Sequence, residues 1–145
     1  MFTYKRIFVA IDGSSESEYA FHKAISICKR NNSSLIAIHV LDKSYFMNVA
    51  ELADPEVFRE SSSFAAELIE RYTQIAKKEG IVFDIKLKEG SPSSMLIKEF
   101  KALNEDDLVV CGSTTSSKIA RLLFGSVAQS IVSEANSDVL IVRKR

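Results

Sequence analysis

Three stretches of this chain are apolar almost without interruption and then stop on an acid or a glycine: Ile7 to Ile11 before Asp12, Leu35 to Leu41 before Asp42, and Leu108 to Cys111 before Gly112. A strand with one wet face alternates apolar and polar residues, whereas a strand covered on both faces reads as a continuous apolar run. Runs of this kind ask for a parallel sheet, and each parallel connection needs a long crossover. The sequence supplies the crossovers as helices. Ser14 or Ser15 caps the first, with Glu16 and Glu18 in its opening turn, an inner face of Ala20, Phe21, Ala24, Ile25 and Cys28, and Lys29 and Arg30 near its end. Asp54-Pro55 opens the second, expected to be the longest, with a stripe through Val57, Phe58, Phe64, Ala65, Leu68, Ile69, Tyr72, Ile75 and Ala76 up to Gly80. Ser91 caps a third ahead of Pro92, with Leu96, Ile97, Phe100 and Leu103 turned inward.

Two more strands complete the pattern. Ile81 to Lys88 alternates Phe83, Ile85 and Leu87 with Asp84, Lys86 and Lys88, the signature of a half-exposed strand at a sheet edge. Asp138 to Val142 closes the chain as the fifth strand, and residues 43–54, without a clear period, form the longest irregular connection. The expected fold is α/β, a single open five-stranded parallel sheet with helices on both faces, in one domain over residues 1–145. The strand orders 2-1-3-4-5 and 3-2-1-4-5 both suit such a chain, and the alternating third strand favours 3-2-1-4-5, which puts it at an edge. That order changes direction between the first and fourth strands, and ligands of open α/β sheets bind beyond the carboxyl ends of the strands at such a point. Asp12-Gly13 and Gly112 therefore mark the expected crevice.

Charge and composition narrow the function classes. Nineteen basic and nineteen acidic residues cancel, and the largest basic block is Arg143-Lys144-Arg145, so the footprint of a nucleic-acid binder is missing. With no run of about 18 apolar residues and no secretory leader pattern, a cytoplasmic protein without a membrane partner is expected. The two cysteines, Cys28 and Cys111, sit inside apolar stretches and read as buried, reduced thiols. No H-E-x-x-H, G-x-S-x-G, Walker or G-x-G-x-x-G pattern occurs, so neither a metal site nor a catalytic constellation is expected.

The most informative polar stretch runs from Gly112 to Ser126. Ser113 to Ser117 are all hydroxyl residues, Lys118 and Arg121 follow, and Gly125 stands where a helix should begin. The unpaired N–H groups and positive dipole end of a helix start favour an anion such as phosphate. The same residues resemble the nucleotide signature of the universal stress proteins, which is Gly, two residues, Gly, nine residues, Gly, then Ser or Thr. Gly112, Gly125 and Ser126 match it at the right spacing, and Thr115 stands where the middle glycine would be. The resemblance extends over nearly the whole chain, through Val9-Ala-Ile-Asp12-Gly-Ser, His39-Val40, Gly90-Ser-Pro92 and Asp107 to Gly112.

What the resemblance implies is an ATP site, with Mg2+, and a stress-response regulatory module with at most slow hydrolysis. Asp12 would lie near the ribose or triphosphate, with Gly13 in the same turn, Val40 against adenine, and Gly112, Thr115, Gly125, Ser126 and Val127 around the phosphates. Threonine at 115 has two consequences. In a left-handed loop residue its branched side chain would cost about 1–3 kcal/mol, whereas in an extended one its hydroxyl can face phosphate. Family members similarly dimerise through the last strand, which here is Val139 to Val142, an apolar sheet edge suited to pairing with a second copy. Two other functions share this fold: a nucleotide-free dimeric interaction module, and a small-molecule phosphotransferase or flavin-type carrier. Plainer readings stand beside these: Asp12 as a turn residue, Lys118 and Arg121 as solvated charges, His39 as a hydrogen-bonded core histidine and His22 as surface.

Overall fold

The computed structural model of the chain describes residues 2–42, 55–112 and 136–144. Its elements are β1 (Arg6–Ala10), α1 (Ser15–Asn31), β2 (Ser34–Asp42), α2 (Pro55–Lys78), β3 (Phe83–Gly90), α3 (Pro92–Lys101), β4 (Asp107–Gly112) and β5 (Asp138–Val142). All four strand pairings are parallel and the order is β3-β2-β1-β4-β5, as the sequence predicts. The alternating strand, β3, is at one edge and the short apolar β5 at the other. The strand of continuous apolar sequence, β1, is central and buried from Ile7 to Ala10.

The two faces of the sheet carry two cores. Alternate residues of a strand point to opposite faces, so Ile7 and Val9 join Leu35, Ala37, Leu108 and Val110 beneath α1 and α2. Phe8 and Ala10 instead join Ile38, Val109 and Cys111 beneath Leu96, Phe100 and Leu103 of α3 and its end. In the first core Phe21 meets Tyr72 edge to face at 4.5 Å between centroids, an arrangement the ring quadrupoles favour. Helix α1 is specified by its ends. Ser14 Oγ accepts from Ser17 N–H, and Asn32 leaves in the left-handed conformation (φ 55°) with its N–H returning to the Cys28 carbonyl.

Some details differ from the sequence expectation. β3 begins two residues later than Ile81, and β1 ends at Ala10, one residue before Ile11. Ser91 occupies the N-cap of α3 ahead of Pro92 without a side-chain cap bond, its carbonyl accepting from Met95 N–H. On α2 the stripe residues Ala65, Leu68, Tyr72 and Ala76 are buried, but Phe64 is 45% exposed. The 43–54 connection and the helix expected from Gly125 lie outside the described residues.

Candidate functional site

Register brings three of the expected site residues to within one residue of the same height on three adjacent strands. Ala10 pairs with Ile38 and Val9 with Val110, so Asp12, Val40 and Gly112 each stand two residues beyond one of these pairs. They lie at the carboxyl rim of β1, β2 and β4, where the strand order reverses. Val40 packs with the α3-side core, so its side chain is on the face opposite α1 and α2.

The turn after β1 is closely determined. Asp12 Oδ1 accepts from Ser14 N–H at 2.9 Å, which makes the plain turn role of Asp12 a real contact. Asp12 N–H donates to Ser17 Oγ at 3.3 Å, and Ser17 Oγ donates to the Ser14 carbonyl at 3.1 Å. The carboxylate is thereby held at the start of α1, partly exposed, beside the positive end of the helix dipole. Gly13 has φ 84°, a conformation that favours glycine, and the Phe64 ring fills the space where a Cβ would go. Gly112 is required for a different reason. A Cβ there would stand 3.0 Å from the Glu16 carbonyl oxygen and 3.1 Å from its carbon, so the end of β4 touches the backbone of the first turn of α1.

His39 is a hydrogen-bonded core residue, as its sequence setting suggests. Its Nδ1 lies 2.8 Å from the Ile11 carbonyl, which only accepts, so Nδ1 carries the proton and ties the end of β2 to the end of β1. His22 is exposed near Glu18. Thr115, Lys118, Arg121, Gly125, Ser126 and Val127 lie outside the described residues. Residues at this rim that sequence reasoning did not single out are Ser17, the Glu16 backbone, Phe64, and Lys144, whose Nζ donates to Ser15 Oγ at 2.9 Å. The Ser14 cap and the apolar stripe place Ser17 and Phe64 on their helices. Which partner each meets leaves no local signal.

Elsewhere the chemistry is quiet. Cys28 and Cys111 are buried and free, and burial pushes both thiols up to about 12, so neither is a thiolate nucleophile at neutral pH. A cleft of about 580 Å³ opens at the opposite, amino-terminal end of the strands, but its lysines are engaged, Lys29 with Glu79 and Lys5 with Asp106. Among the described residues no three His, Cys, Asp or Glu side chains gather as a metal site, and no helix is long and apolar enough to cross a membrane.

Comparison with known proteins bears on the family and the fold. The model of the universal stress protein family matches residues 3–143. A Staphylococcus haemolyticus protein assigned to the universal stress proteins is 35% identical over 144 residues, 99% of this chain and 87% of its own length. Among solved structures, the universal stress protein UspA from Lactobacillus plantarum superposes with a TM-score of 0.74 at 22% identity, covering 97% of this chain and 99% of its own. A universal stress protein in complex with cAMP superposes with a TM-score of 0.66 at 26% identity, covering 97% of this chain and 98% of its own.

Proposed function

The chain belongs to the universal stress protein family, and we propose that it binds an adenine nucleotide, ATP with Mg2+, at the carboxyl rim of β1, β2 and β4 as a regulatory module with at most slow hydrolysis. One observation carries the reading: Asp12, Val40 and Gly112, distant in sequence, stand within one residue of the same level where the strand order reverses. The cAMP held by a family relative supports adenine nucleotide as the ligand class. In this reading the Val40 backbone lies against the base and Asp12 faces the sugar or a water of Mg2+. The phosphates meet Gly112, Thr115, Gly125, Ser126 and Val127. Mg2+ usually binds through one or two carboxylates together with substrate phosphates and waters, and Asp12 at the rim is suited to the carboxylate part. Bound as Mg-ATP, the ion would screen the triphosphate charge. Among the described residues the two thiols are buried and held protonated at neutral pH and supply no nucleophile, and the reading takes nucleotide occupancy, rather than turnover, as the output.

Titrating nucleotide-stripped protein with Mg-ATP in a calorimeter should give saturable heat, and the melting temperature should rise with ligand because only the folded state binds. No heat and no thermal shift at about 5 mM Mg-ATP, a concentration that would reveal even millimolar affinity, would remove the reading.

A second copy is the partner proposed for β5. Val139, Leu140 and Ile141 are only partly buried on a strand at the sheet edge, and a two-fold antiparallel pairing would satisfy that edge in a closed dimer. Leu140→Glu should sediment as a monomer while keeping its helical circular dichroism. A persisting dimer would move the interface elsewhere.

A further inference from the structure

The Phe64 ring does something its helix does not require. Of its stripe neighbours on α2, Ala65, Leu68, Tyr72 and Ala76 are buried to 4% exposure or less and Ile69 and Ile75 are partly buried, yet Phe64 is 45% exposed and reaches to the turn after β1. Its Cζ occupies the volume a side chain on Gly13 would need, and its Cε atoms lie 3.3 and 3.4 Å from that point. Its ring also meets His39 at 6.2 Å between centroids and 66° between planes. His39 in turn holds the Ile11 carbonyl, and Ile11 N–H donates to the Ile38 carbonyl at 2.9 Å. One ring thus rests on the residue after Asp12 and on the side chain that fixes the residue before it.

A glycine at positive φ has more freedom than any other residue, and without a lateral contact the link it forms samples several states. Phe64 provides that contact. It does so from the far side, because His39 and Val40 are consecutive in β2 and so point to opposite faces, with Val40 in the α3-side core. The ring is therefore on the α1 and α2 side, not stacked where the base would lie along Val40. We propose that Phe64 is the positioning residue of the Asp12 turn, setting adenine-nucleotide affinity through Asp12 without touching the ligand. The inference rests on the nucleotide reading above.

Mg-ATP calorimetry on the parent chain, Phe64→Ala, Phe64→Met, Phe64→Tyr, Asp12→Ala and the Asp12→Ala/Phe64→Ala double variant tests it. Phe64→Ala should weaken binding about tenfold, a change of one decade in Kd. Phe64→Met, flexible and of similar reach, should recover most of this. Phe64→Tyr should not recover it, because its hydroxyl would project from Cζ into Gly13, although a merely half-exposed apolar contact would tolerate it. In the double variant the loss should equal that of Asp12→Ala alone, as expected for residues acting as one unit. In parallel, the Gly13 amide resonance should move in Phe64→Ala, because the ring that lies against Gly13 is removed. Parent-like affinity in Phe64→Ala, or losses that multiply in the double variant, would overturn the positioning role alone. A parent that fails to bind Mg-ATP would overturn both this role and the nucleotide reading.

Discussion

Replacing Asp107 by alanine should lower the unfolding free energy by about 2 kcal/mol, between the scale of an exposed ion pair and that of a buried one, because the carboxylate is buried while the Arg6 side chain is half exposed. Asp107 is 1% exposed at the start of β4. Arg6, its registered partner at the start of β1, donates Nε–H and Nη2–H to its two oxygens at 2.8 and 2.7 Å. Asn104 N–H adds a third bond at 2.8 Å. The fork fixes the register of the two central strands at their amino ends, and the Arg6 guanidinium also lies over the Phe8 ring at 5.2 Å. In urea titrations the midpoint should fall with little change in slope. A loss below about 1 kcal/mol, the range of an exposed pair, would show that the fork does not hold the strands.

The same contact has a pH signature. Burial alone would raise the Asp107 carboxyl, but the Arg6 hydrogen bonds, then the Asn104 N–H and the charges of Arg6 and Lys5, more than offset it and leave the group below its ordinary value. A carboxylate whose pKa is lower folded than unfolded contributes stability that is complete above its unfolded value and is lost as pH falls through the folded one. The loss therefore lies below about pH 4, the ordinary range for aspartate. The stability gap between the parent and Asp107→Asn should be constant from pH 5 to 8 and narrow below about pH 4. A gap that stayed constant down to pH 2 would contradict this assignment.

Sequence patterning reached the fold because its evidence is local. Continuous apolar runs marked β1, β2 and β4 as buried on both faces, and the alternation of Phe83, Ile85 and Leu87 with charged residues put β3 at an edge, which decided the strand order. Along β3 no residue is fully buried, and Lys86 and Lys88 turn to Glu99 of α3. Other features join residues far apart in the chain. The Arg6–Asp107 fork spans 101 positions, and nothing in either segment names the partner. Phe64 fitted the stripe of α2 by spacing, but the turn it covers depends on how far α2 extends past the end of β1. Of the expected nucleotide residues, the register places Asp12, Gly13, Val40 and Gly112 at one rim. The phosphate half, Thr115 to Val127, lies outside the described residues, so its signature spacing stands as the sequence has it.

Gly112→Ala should destabilise the chain by about 2 kcal/mol, the usual cost of forcing an extra methyl into a packed site, and should weaken Mg-ATP binding about tenfold or more. The cause is space, since Gly112 is not among the left-handed glycines. Its added Cβ would meet the Glu16 carbonyl oxygen at 3.0 Å, the carbonyl carbon at 3.1 Å and the Glu16 Cβ at 3.2 Å. Two of these are backbone atoms, which cannot rotate aside as a side chain would. Relief requires the first turn of α1 to move away from β4 by a few tenths of an ångström. That turn cannot move alone, because Ser14 caps it and Ser17 Oγ accepts from Asp12 N–H, so the displacement passes to the carboxylate. Stability and affinity should therefore fall together, and Gly112→Val should be worse in both. Glu16→Gly should restore little, since it removes only the 3.2 Å contact and leaves the carbonyl in place. Denaturant melts and Mg-ATP titrations of the three variants decide it. Gly112→Ala within about 0.5 kcal/mol of the parent, the range of an ordinary surface change, would mean that β4 and α1 separate freely at the rim.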